Sequence, residues 1–92
     1  MGIDILDFRF RIEKSFGFKI EADDYEKFPK TSLQAATAGD MHTWVVRLCE
    51  EKGARTPYSS WNRVKLALAQ TVNKPLKRIH PDTLIVRDLG FS

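Results

Sequence analysis

The sequence has a single cysteine, Cys49, among 92 residues. No disulfide can close within the chain, which suits a reducing compartment, and a cytoplasmic protein is expected. Its two histidines, His42 and His80, show no metal-ligand spacing with each other or with Cys49. No run of about 18 apolar residues occurs, which excludes a membrane-spanning helix. The opening Met1-Gly2-Ile3-Asp4-Ile5-Leu6-Asp7 lacks a basic stretch and is interrupted by acid, so it does not read as a secretory signal. Low-complexity segments and strand-rich regions are missing. No Ser/His/acid or Cys/His spacing marks a nucleophile, and an enzyme is not expected.

What is present is ordinary globular composition, with 42% hydrophobic and 29% charged residues. That is too apolar for a disordered chain. The length suits one small domain and would starve two independent cores. Charge is uneven. Residues 1–52 hold eight Lys/Arg against ten Asp/Glu, while residues 53–92 hold seven against two, for a net charge of +3. A basic second half can serve an acidic protein or a nucleic acid, or simply be a solvated face.

Periodicity predicts a first helix over 3–16. Ile5, Phe8, Ile12 and Phe16 fall on one stripe. Ile3, Leu6 and Phe10 form a second stripe nearly opposite. Phe8 to Glu13 also alternates with period two, as a half-buried strand would; the absence of an alternating partner favours the helix. Gly17 is placed to end it. Phe18-Lys19-Ile20 reads as extended, residues 22–28 as a helical turn stopped by Pro29, and residues 29–36 as a polar loop. A second helix is expected over about 38–52, with Met41, Trp44, Val45 and Leu48 inward. Thr37 and Asp40 would form its capping box and Gly53 its end. After a linker over 53–57, Ser59 or Ser60 would cap a third helix over about 61–72, with Trp61, Val64, Leu68 and Val72 inward. Asn73-Lys74-Pro75 breaks it, and residues 76–92 read as loop. The fold class is all-α, a small four-helix bundle. Cys49 reads as core filler and His42 as structural; His80 is placed in a loop.

Several runs resemble the acyl carrier protein family, but with its halves in circularly permuted order. Ile3-Asp4-Ile5-Leu6-Asp7-Phe8, Ile12-Glu13-Lys14-Ser15-Phe16-Gly17, Ile20 to Glu26 and Thr37-Ala38-Gly39-Asp40-Met41 are similar to runs that follow the family's modified serine. Residues 61–92 resemble its first helix and the run leading to that serine, through Ile79-His80-Pro81-Asp82-Thr83-Leu84 and Asp88-Leu89-Gly90-Phe91. Two architectures fit. Residues 1–92 form one permuted domain, or residues 61–92 are an appendage or the start of a second copy.

The resemblance implies a serine carrying a phosphopantetheine arm. Gly2 or Ile5 stands at that position and neither has a hydroxyl, so no cofactor is expected. Ser92 is the one remaining attachment point. The implied role is a protein-interaction or regulatory module, with partners of fatty-acid or polyketide type. Its docking residues would be Ile3, Leu6 and Phe10 with Asp4, Asp7 and Arg9. This stripe would be free for a partner or a second copy, or covered by residues 61–92 as core. Arg9, Arg11 and Lys14 would weaken steering toward basic partner patches. The alternatives are a working carrier modified at Ser92 and a small basic module for an acidic protein or nucleic acid. For the latter, Tyr58 and Trp61 stand beside Arg55, Arg63 and Lys65, and Lys74, Lys77 and Arg78 form a basic turn. A packed Trp at a helix start is the commoner case for the first group, and no recognition helix or aromatic platform accompanies the basic turn, which makes nucleic acid the weaker partner.

Overall fold

Why the first helix forms where it does is visible at both of its ends. In the computed structural model, which describes residues 3–92, α1 spans Ile3–Phe16. Gly2, one of the two positions compared with the modified serine, lies outside the described residues. Gly17 takes a left-handed φ of 78° and donates its N–H to the Glu13 carbonyl, closing the helix as only glycine does without strain. Ile5, Phe8 and Ile12 are buried, while Phe16 is only half-buried.

The segment after α1 is a 3₁₀ helix over Ala22–Lys27, held by reciprocal hydrogen bonds between Glu21 and Asp24. Residues 29–36 are not wholly loop. Leu33–Ala35 form a second 3₁₀ turn, capped by the Ser32 hydroxyl accepting from Gln34 N–H.

Helix α2 spans Ala38–Glu51 and starts on the expected capping box, with Asp40 N–H donating to Thr37 Oγ1 and Thr37 N–H to the Asp40 carboxylate, both at 3.0 Å. Its remaining first-turn amides are met from far along the chain. Ala38 N–H donates to the Thr83 carbonyl and Gly39 N–H to the Pro81 carbonyl, each at 2.8 Å. These groups have no partner within a helix, so residues 81–85 act as a second cap. An isolated antiparallel bridge between Thr37 and Leu84 continues the seam. Met41, Trp44, Val45, Leu48 and Cys49 are buried on the inner face.

Helix α3 spans Ser60–Val72. Ser59 stands at its cap but makes no capping bond; its hydroxyl accepts from Arg63 Nε instead. Val64 and Leu68 are fully buried as expected, but Trp61 and Val72 are only half-buried, and Ala67 and Ala69 fill the inner face. Asn73 ends the helix in the left-handed region, with φ 55°. A 3₁₀ turn over Leu76–Arg78 follows.

Residues 79–91 are the largest departure from expectation. Ile79, Ile85, Leu89 and Phe91 are buried and join α1, α2 and α3 in one contiguous apolar cluster. Helix α3 packs against both α1 and α2. The radius of gyration is 11.9 Å, against about 12 Å for a compact chain of this length. The described residues are helical apart from loops and the single bridge. Among them no helix is long and apolar enough to cross a membrane.

Candidate functional site

Helix α1 carries two apolar faces, and α3 covers only one. Ile5, Phe8 and Ile12 face the core, whereas Ile3, Leu6 and Phe10 are 79%, 56% and 58% exposed. Of the two alternatives for the second stripe, cover by residues 61–92 is not what the structure shows. Exposed apolar residues clustered on one helix face mark a surface able to bind.

The charges beside this stripe are paired within the helix. Arg11 Nε donates to the Asp7 carboxylate at 2.8 Å, and Arg9 Nε to that of Glu13 at 3.4 Å. Lys14 lies over the Phe10 ring, 5.4 Å from its centroid. The Arg11 hydrogen bond holds the Asp7 carboxyl below its ordinary pKa. Glu13 is lowered chiefly by the amide of Ile20, which donates to it at 2.8 Å and pins the chain after Gly17. The basic residues therefore project little net field, since each has an acidic or aromatic neighbour one turn away.

Asp4 and Ser92 meet at the start of α1. Ser92 N–H donates to the Asp4 carboxylate and Asp4 N–H to the Ser92 carbonyl, both at 2.9 Å. Asp4 is thus engaged within the fold, and Ser92 is exposed at the helix's first turn. Next to this junction, Phe91 meets Phe8 edge-on, with ring centroids 6.4 Å apart.

Beside the stripe lies a groove of about 540 Å³. Its wall on α1 is Ile5, Leu6 and Arg9; the opposite wall is Tyr25 and Phe28, with Lys30 to Leu33 at the rim and Trp44 beneath. Trp44 is fixed by its indole N–H, which donates to the Asp24 carbonyl at 2.9 Å. Tyr25 and Phe28 each lie 5.5 Å from its ring. The Tyr25 hydroxyl is buried without a hydrogen-bond partner. The Arg9 guanidinium lies close to that hydroxyl. Sequence reasoning missed this groove because residues 29–36 looked featureless. The available signal was Tyr25 and Phe28, two aromatics in an otherwise acidic turn.

Elsewhere, His42 Nε2 and Ser60 Oγ are 2.9 Å apart, and the imidazole packs edge-on against Trp61. Burial lowers the His42 pKa. The pair links α2 to α3, consistent with the structural role expected of His42. Cys49 is buried, and burial raises its thiol pKa, the opposite of what a reactive thiolate needs. Among the residues weighed for base stacking, Tyr58 is fully exposed. Arg63 is occupied by the Ser15 carbonyl at 2.7 Å, and Lys65 lies over Trp61. Among the described residues no group of His, Cys, Asp and Glu could hold a metal ion.

Comparison with protein-family models, with curated proteins and with solved structures finds no match.

Proposed function

We propose that this chain is an acyl-carrier-like helical module with its halves in permuted order, working in the cytoplasm through protein contact rather than through a phosphopantetheine arm. The observation that carries the reading is the uncovered Ile3/Leu6/Phe10 face of α1. It coincides with the stripe that the family resemblance assigns to partners. The permuted order is supported by the meeting of Ser92 with Asp4 and of Phe91 with Phe8, since these residues stand on either side of the family's modified serine. Because Arg9 and Arg11 are neutralised by Glu13 and Asp7, docking would rest on apolar contact more than on charge steering. Titration against purified carrier-dependent enzymes of fatty-acid or polyketide synthesis, with wild type beside Leu6→Glu, tests the surface. Binding that the variant loses supports the reading; equal binding, or none, rejects it.

A second reading keeps the arm. The Ser92 side chain stands exposed at the first turn of α1, next to Asp4, near where the family places its serine. Intact mass after co-expression with a phosphopantetheinyl transferase separates the two. An unmodified chain is expected, and a gain of one phosphopantetheine mapped to Ser92 would establish the second reading instead.

A further inference from the structure

We propose that the chain forms a weak, reversible dimer in which the Ile3/Leu6/Phe10 face of α1 packs antiparallel against the same face of a second copy, with Phe10 at the twofold axis. Like the proposed function, the inference rests on the exposure of that face; it takes nothing from the carrier resemblance.

Two features of α1 select a second copy as the occupant. The first is charge order. At about 100° per residue, Arg9 and Glu13 flank the stripe on one side, and Asp7 and Lys14 flank it on the other. A twofold axis through an antiparallel pair sets each flank against its own counterpart. A residue before Phe10 then faces the residue equally far after it. Asp7 falls one position from Lys14 of the second copy, and Arg9 two positions from its Glu13, roughly 1.5–3 Å along the helix. Groups are free to make these pairs. Lys14 lies over the Phe10 ring and makes no ion pair among the described residues. Glu13 receives Arg9 and the Ile20 amide on Oε2, and its Oε1 has no partner among them. Arg11, at the outer edge, is held by Asp7 and Gln70. A parallel pair would set Asp7 against Asp7 and Lys14 against Lys14, which repel. A wholly acidic or wholly basic partner would meet a like charge on both flanks, whereas the reversed helix offers an opposite one on each.

The second feature is shape. Past Lys14 the surface sinks into a hollow of about 310 Å³ lined in part by Phe10, Lys14, Gly17 and Phe18. In this register Ile3 of the second copy, the most exposed member of the stripe at 79%, lies opposite Gly17 and enters that hollow. Leu6 lies along the aliphatic stem of Lys14. Area sets the strength. A helix of 14 residues, about 21 Å long, buries well under the roughly 800 Å² per partner of a standard interface. Half-dimerisation at roughly 10⁻⁵–10⁻⁴ M is therefore expected.

Sedimentation equilibrium of the full chain alone, from about 5 μM to about 1 mM, tests the dimer. Wild type should pass from monomer to dimer across that range. Lys14→Glu should raise the midpoint at least about tenfold, and adding Asp7→Lys to it should restore most of the loss. Disulfide trapping reads the register independently, in a Cys49→Ala background that still melts cooperatively. Phe10→Cys should cross-link with itself. Leu6→Cys should not, but should cross-link when mixed with Lys14→Cys. The proposal is overturned by a monomer at every concentration, by a dimer indifferent to Lys14→Glu, or by Leu6→Cys cross-linking with itself as readily as Phe10→Cys. No enzyme is present in these measurements, so a monomer leaves docking of a carrier-dependent enzyme on Leu6 standing, and failure of that docking leaves the dimer standing.

Discussion

Asp4 and Ser92 stand 88 positions apart in the chain and exchange two hydrogen bonds at the first turn of α1. The exchange meets an amide that the helix itself cannot satisfy and places a carboxylate at the positive end of the helix dipole. Asp4→Ala removes the carboxylate that accepts from the Ser92 amide and faces the helix start, and should cost about 0.5–2 kcal/mol. Asp4→Asn, which keeps an acceptor, should recover part of that. Urea denaturation of the three proteins measures it, and equal midpoints for wild type and Asp4→Ala would show that the clamp contributes nothing.

The seam between α2 and residues 81–85 has a comparably sharp weak point. A Cβ at Gly39 would lie 2.8 Å from the Pro81 carbonyl oxygen, which is backbone and cannot swing aside. The Gly39 amide also donates to that oxygen at 2.8 Å. Gly39→Ala forces the two segments apart, and a loss of about 1–3 kcal/mol is expected, as for overpacking elsewhere. Raised hydrogen exchange at the amides of Ala38 and Ile85, which bridge the same seam, should accompany it. A variant as stable as wild type would mean that the seam gives way freely.

These contacts show what was legible in the sequence. Helices α1 and α2 could be read because their signals are local. Apolar residues recur at helical spacing, Gly17 and Gly53 adopt left-handed φ at the ends, and Thr37 with Asp40 forms a box within four residues. The uncovered stripe was visible as a pattern, but its exposure depended on where α3 would lie. Residues 79–91 could not be read as core. Ile79, Ile85, Leu89 and Phe91 follow no helical or strand period; turns set their direction, and the α2 amides anchor them. Ser59 and Ser60 illustrate a similar limit. Both looked like caps, yet one bonds Arg63 and the other His42. The groove was hidden for the same reason, since its walls come from three separate segments.

Acid should weaken the fold through Asp24. Its residue is 2% exposed, and its carboxylate accepts from Lys52 Nζ and the Glu21 amide, both at 2.7 Å. Burial by itself would raise the Asp24 pKa, but Lys52 and the Glu21 amide outweigh it and hold the group below its ordinary value. The folded state then binds the proton more weakly than the unfolded chain. The stabilisation is complete above the unfolded value, about 3.9, and is lost as pH falls below it toward the lower folded value. Asp24→Asn should cost about 1–3 kcal/mol near neutral pH. Its deficit should shrink as the wild type is titrated below about pH 4. Urea melts across that range decide the matter, and a deficit independent of pH would point to shape rather than charge.

The relation between the two parts of the chain can be tested through Phe8 and Leu68. Both are fully buried and belong to one apolar cluster, although one lies on α1 and the other on α3. If residues 1–92 form a single cooperative domain, each substitution to alanine should cost roughly 2–5 kcal/mol, a large share of the total for a small protein. The same coupling means that residues 1–52 should not fold cooperatively when cut off at Gly53. Without Val64, Leu68, Ile85 and Leu89, the inner faces of α1 and α2 would be left partly in water, and a core of that size is marginal. Calorimetric melts of the truncated chain and of both alanine variants are the measurement. A single transition that both variants lower fits one domain. Should residues 1–52 melt cooperatively alone, at a temperature that Leu68→Ala leaves unchanged in the full chain, residues 61–92 would be an appendage. The inner face of α1 would then be available to a partner together with the Ile3/Leu6/Phe10 stripe.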